Sequence, residues 1–104
     1  MKVYIAGPYT NGDVAVNVRT AIEAADAVLK AGHTPFLPHL AHFWHLVCPG
    51  PYEQWIKWDL EWLPSCDVLI RLPGQSSGRD NEVHNAEKLG LPIFYGVENF
   101  LESV

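Results

Sequence analysis

The stretch from Trp58 to Gly96, WDLEWLPSCDVLIRLPGQSSGRDNEVHNAEKLGLPIFYG, decides the fold. Within it, Asp67-Val68-Leu69-Ile70 is a short, β-branched apolar run of the kind that forms a buried strand. A turn rich in Pro, Gly and Ser follows, Leu72 to Gly78. The next segment, about Asp80 to Leu89, reads as a helix closed by Gly90, and Pro92-Ile93-Phe94-Tyr95 is a second apolar run. Strand, polar loop, helix, strand is the βαβ unit of a parallel sheet, whose ligands sit at the carboxyl ends of the strands. Glu82 falls at the start of the helix, beside the loop that would hold such a ligand.

Working outward, Lys2 to Ala6 predicts a first, buried parallel strand. It runs into Gly7-Pro8-Tyr9-Thr10-Asn11-Gly12-Asp13, a loop where glycine lets backbone approach a ligand and the following helix points its amides at it. Neither the GxGxxG nor the Walker pattern is present, so an ordinary strand-to-helix turn leads over a phosphate site as the reading of that loop taken alone. Asp13 to Ala31 predicts an amphipathic helix with its stripe at Val14, Val18, Ile22, Ala25, Val28 and Leu29, stopped by Gly32. Thr34 to Pro38 predicts a short strand near a sheet edge, because prolines bracket it.

The pattern then breaks. His39, His42 and His45 recur at spacings of three, which on a helix would share one face. No carboxylate stands at a ligand spacing within the run, so pocket or packing roles lead over a metal site: His39 is a pocket candidate, and His42 and His45 read as packing or surface. Tyr52 to Leu63 predicts a helix ended by Pro64, with Asp59 set among its apolar residues. That carboxylate either serves another element or belongs to a site. Val97 to Glu102 predicts a short closing helix.

A chain of 104 residues, 48% hydrophobic and 18% charged, makes one domain with a sizeable core. A net charge of -5 argues against nucleic acid and anionic membrane surfaces as partners. No apolar run approaches the roughly 20 residues of a membrane span, and the N-terminus lacks a signal peptide's apolar region. Cys48 and Cys66 fit no CxxC pattern and read as reduced thiols of a cytoplasmic protein. Trp55, Trp58 and Trp62 form an aromatic band that fits core or subunit interface better than a base-stacking wall.

A glutamate at a helix start, beside a serine-glycine loop, suits work at a sugar carbon. N-glycosidic cleavage passes through an oxocarbenium-like state, stabilised by one carboxylate while a second acid protonates the leaving base. VYIAGPYTNG, DLEWLPSCDVLI, the S-x-G-x-x-x-E set at Ser76, Gly78 and Glu82, and AEKLGLPI together resemble the nucleoside 2-deoxyribosyltransferase-like superfamily, which includes 2'-deoxynucleoside 5'-phosphate N-hydrolases. The similarity covers most of the chain and is closest to short members of the group. It implies a single-domain flavodoxin-like (Rossmann-like) α/β sandwich of three layers, with a parallel sheet of four to five strands. It also implies a homodimer or higher homo-oligomer acting on a small-molecule nucleoside or nucleotide, without cofactor or metal.

Carried over by position, the resemblance makes Glu82 the nucleophile, Asp59 the acid for the leaving base, Asp67 the second aspartate near the site, and Tyr4 the residue that orients the nucleophile. It assigns Ser76 and Gly7, Pro8, Tyr9, Thr10, Asn11 and Gly12 to a 5'-phosphate. The loop departs from the hydrolases in lacking arginine, which Arg79 can supply from beyond Gly78. Short sequence after Phe100 favours hydrolysis over transfer. Bland roles stand beside these: Glu82 as a helix N-terminal carboxylate, Asp67 as a cap, Tyr4 as core and Ser76 as a turn residue. A catalytically silent nucleotide-binding module is the alternative reading, and a metal hydrolase built on the histidine run is a third.

Overall fold

The computed structural model describes residues 1–74 and 77–104, the side chains of 77–80 excepted. Among these residues four strands, β1 (Lys2–Ala6), β2 (Thr34–Phe36), β3 (Val68–Arg71) and β4 (Ile93–Tyr95), form one parallel sheet in the order β2-β1-β3-β4. Both edges fall where the sequence places its shortest, proline-flanked strands. The helices are α1 (Val14–Lys30), α2 (Ala41–Val47), α3 (Tyr52–Trp62), α4 (Ser77–Leu89) and α5 (Val97–Ser103). Single 3-10 turns at Pro38–Leu40 and Leu63–Ser65 join β2 to α2 and α3 to β3.

Alternation along the strands sorts the side chains into two layers. Val3, Ile5, Val68 and Ile70 point to one face and pack with Ala21, Ala24, Ala25 and Val28 of α1 and with Phe100 of α5. Tyr4, Ala6 and Leu69 point to the other, toward Leu63, Cys66, and Val83 and Ala86 of α4. The α1 stripe differs from the sequence expectation. Ala21 and Ala24 are buried while Ile22 and Leu29 stay exposed, because alanines let the helix approach the sheet closely. Asp13 caps α1: its Oδ1 accepts from Ala15 N at 2.9 Å and Val16 N at 3.3 Å.

Chain direction reverses its spread between β1 and β3, so the loops leaving those two strands diverge and open a crevice. The two loops touch at a glycine. Gly74 has φ +107°, and a Cβ there would lie 2.8 Å from Pro8 Cγ. At Gly7 a Cβ would press on Leu72, 3.0 Å from its Cδ1. Glycine is required at 74 by both φ and space, whereas an added Cβ at 7 needs Leu72 to give way. Among the described residues no helix is long and apolar enough to cross a membrane.

Candidate active site

The crevice is a cavity of about 570 Å³, and two carboxyl groups line it. Asp59 sits in the middle of α3, where its position among the apolar residues turns it inward, and it is 7% exposed. Glu82 comes from the first half of α4 and is 6% exposed. Tyr4, fully buried in β1, lies on the same face of the sheet. Three elements far apart in sequence thus bring an acid, an acid and a phenol together.

Their electrostatics follow from burial. Loss of water pushes the Asp59 carboxyl up to about 7. Glu82 is raised well above the usual carboxylate range, by burial first and then by the charge of Asp59, while the Tyr4 hydroxyl favours its ionised form. Burial, then Glu82 and then Asp59, hold the Tyr4 hydroxyl protonated. The hydroxyl is close enough to couple with Glu82 yet falls short of hydrogen-bond geometry, so among the described residues it has no formed partner. Asp59 Oδ1 and His39 Nδ1 are also buried without one. Two of these unpartnered atoms belong to residues that line the cavity, and the third, on Tyr4, couples to the lining residue Glu82, a concentration that structural side chains avoid.

The first loop forms another wall through Gly7, Tyr9, Thr10 and Asn11. Asn17 of α1 holds it in place, its Nδ2 donating to Tyr9 O and to Asn11 O at 2.9 Å each. His39 holds it from the other side, with Nε2 donating to Pro8 O at 2.9 Å. Burial lowers the pKa of His39, against the pull of the Pro8 and Gly7 carbonyls, so the ring is a neutral strut. Tyr9 Oη lies 2.6 Å from His42 Nδ1.

Among the residues singled out from sequence, Gly7, Tyr9, Thr10, Asn11, His39, Asp59 and Glu82 line one cavity, and Tyr4 couples to Glu82. Pro8 contributes through its carbonyl, and Gly12 is a turn residue with φ +94° outside the lining. Asp67 is not brought to the site. It is exposed at the amino end of β3, opposite the crevice, and its Oδ2 accepts from Lys2 N at 2.8 Å. Ser76 lies outside the described residues. Gly78 and Arg79 fall within α4, and their side chains lie outside the description.

Sequence reasoning missed one wall. His42 and His45 line the cavity instead of packing elsewhere, as do Trp55 and Tyr52. His45 Nδ1 accepts from Gly50 N at 3.2 Å and Trp55 Nε1 at 3.1 Å, tying α2 to α3. The spacing of three was the available signal, since it puts His42 and His45 on the face that continues from His39. Among the described residues no three His, Cys, Asp or Glu side chains are grouped to hold a metal ion.

The parallel order, the crevice at its reversal point and the layered helices define a flavodoxin-like α/β protein with an acid-lined small-molecule cavity. Solved structures share this fold. The 2-deoxyribosyltransferase of the psychrotolerant bacterium Bacillus psychrosaccharolyticus superposes with a TM-score of 0.69 at 24% identity, over 89% of this chain and 69% of that one. The 2-deoxyribosyltransferase of Leishmania mexicana gives 0.63 at 17% identity, over 88% of this chain and 61% of that one. The chain thus spans about three fifths of the Leishmania protein. No curated protein matches at a significant level. Residues 1–96 match the family described as Domain of unknown function (DUF7768), and the chain belongs to that family.

Proposed function

We propose that this protein cleaves the N-glycosidic bond of a nucleoside or nucleoside 5'-monophosphate, by hydrolysis or base transfer. The observation that carries the reading is the pair of buried carboxyls, Asp59 and Glu82, both pushed to titrate high in one cavity. A mere binder of an anionic ligand gains nothing from two acids there. An N-glycosidase needs one acid ionised and one protonated, and a coupled pair that shares a proton supplies both forms near neutral pH.

In the reactive form of the pair the shared proton sits on Asp59 and Glu82 is ionised, a form the Tyr4 hydroxyl favours, and Glu82 attacks the anomeric carbon. The carbon–nitrogen bond breaks, and its electron pair leaves with the base, which takes the proton of Asp59. Water then adds to the anomeric carbon and loses its proton to Asp59. The sugar departs and the Glu82 carboxylate is restored. In transfer, a second base takes the place of water. The likeness in fold to 2-deoxyribosyltransferases supports the same class of bond.

We also propose a homodimer in the cytoplasm. None of the seven residues of α2 is buried, although Phe43, Trp44, Leu46 and Val47 are apolar. Cys48 and Cys66 are free thiols, which fits a reducing compartment.

Free-base release, followed by chromatography over a panel of ribo- and deoxyribonucleosides and their monophosphates, tests the function. Release that disappears in Glu82→Ala is the expected result. Binding of the panel with no release by the wild-type protein points instead to a catalytically silent nucleotide-binding module.

A further inference from the structure

Around the cavity the described lining residues include Asp59 and Glu82 but neither lysine nor arginine. The groups there able to offer nitrogen-bound protons to a ligand from side chains on one helix face are His42 and His45 of α2.

The bonds of these two rings fix what they present. Both partners of His45 Nδ1 are N–H donors, so Nδ1 is the acceptor and the ring proton sits on Nε2. Burial keeps the Tyr9 hydroxyl protonated, and among the described residues it has no acceptor besides His42 Nδ1. When it donates there, the proton of neutral His42 also sits on Nε2. In the imidazolium form of either ring Nε2 carries a proton as well. Neither Nε2 atom is engaged by another described group, and neither is among the buried unpartnered atoms. The cavity lining therefore combines two acids, from α3 and α4, with two histidines of α2 whose Nε2 atoms carry protons.

We infer that His42 and His45 form the recognition site for an anionic phosphate monoester on the substrate, which makes them the residues that set a preference for nucleoside 5'-monophosphates over nucleosides. This rests on the reading of the cavity as a nucleoside site. The bond to Tyr9 places His42 against the Gly7–Asn11 loop, so backbone and imidazole donors can share the phosphate oxygens. The other titratable groups around the pair are Tyr9, Tyr52, His39, Asp59 and Glu82. With both carboxyls in the same cavity, an anionic group is attracted by the α2 histidines and repelled by Asp59 and Glu82. That polarity orients the nucleotide with its sugar carbon toward Glu82.

The test is titration calorimetry with matched 2'-deoxynucleosides and their 5'-monophosphates, the readout being the ratio of the two affinities. An Asn amide can stand in for Nδ1, and a Gln amide for Nε2. His45→Asn keeps an acceptor for Gly50 N and Trp55 Nε1 while removing the cavity donor, and His42→Asn likewise keeps a partner for Tyr9. The wild-type protein is expected to favour the monophosphate at least about tenfold, and each Asn variant to lose roughly tenfold of that ratio, the scale of one charge-assisted hydrogen bond. His42→Gln is expected to keep most of it. A wild-type ratio near one, or a ratio that survives both Asn substitutions, overturns the inference. Monophosphate-selective binding without base release supports it and sinks the glycosidase reading; base release without phosphate preference does the reverse.

Discussion

Replacing Asp59 by Asn isolates the electrostatic cost of the site. In the unfolded chain the carboxyl titrates near 3.8, and in the fold it is pushed up to about 7. Below the lower value Asp59 is protonated in both states and costs nothing. As pH rises, the unfolded chain releases the proton first, so native stability falls and reaches its floor once the folded carboxyl ionises, past about 7. The gap corresponds to roughly 4 kcal/mol at the floor. Asn cannot ionise and escapes this loss, and it also removes the charge that raises Glu82. Urea unfolding at pH 4 and pH 8 should therefore show the variant close to wild type at the lower pH. At pH 8 it should be more stable by a few kcal/mol, a midpoint shift of roughly 2 M. Base release should fall in the same variant, because the leaving base loses its proton donor. Equal slopes of stability against pH for the two proteins would mean that Asp59 is not held protonated by burial, and the proton-sharing argument would go with it.

Tyr4→Phe removes a hydroxyl with no formed partner among the described residues, so stability should change by less than about 1 kcal/mol. Without it the Glu82 carboxylate is less favoured, and the acid limb of the pH–rate profile should move to higher pH with kcat down roughly tenfold or more. Gly74→Ala should cost roughly 1–3 kcal/mol in thermal unfolding, through positive φ and the contact with Pro8. Gly90→Ala, at φ +76° with no atom within 4 Å, should cost less, and the difference measures how tightly the two crevice loops touch. Leu46→Lys combined with Val47→Lys should convert a dimer into a monomer in sedimentation while leaving the far-ultraviolet dichroism unchanged. A wild-type protein that sediments as a monomer at the highest soluble concentration would dispose of the α2 interface.

Most of the architecture was legible because each local signal had one physical meaning. The β-branched run at Val68–Ile70, the loop and Gly90 at the end of α4 specify a βαβ unit, and the prolines around Phe36 specify an edge. Asp59 and Glu82 stood out for a related reason, a carboxylate in an apolar stripe and one beside the strand-end loop, and the structure places both on the cavity wall. Asp67 shows the limit of reading proximity along the chain. It stands one residue before β3, and in a parallel sheet that is the end away from the ligand. Strand direction alone was enough to exclude it. The His42–His45 wall was harder to see. A seven-residue helix with no buried face gives no amphipathic period, so whether its histidines face cavity or solvent depends on how α2 leans on α3 through Trp55. The α1 stripe departs from the expectation at Ile22 and Leu29 because the face set against the sheet runs through Ala21 and Ala24, and the larger side chains beside it stay exposed.

All four tryptophans belong to one connected group. Trp44 lies 5.0 Å from Trp55 and 5.6 Å from Trp58, and Trp58 lies 6.5 Å from Trp62. Indoles this close and steeply inclined couple their electronic transitions, so the near-ultraviolet dichroism should carry an exciton signature and excitation should migrate among them before emission. One member, Trp55, lines the cavity and hydrogen-bonds His45. Because excitation on the other three indoles can reach Trp55, the intensity and polarisation of the intrinsic fluorescence provide a label-free optical readout of what enters the cavity.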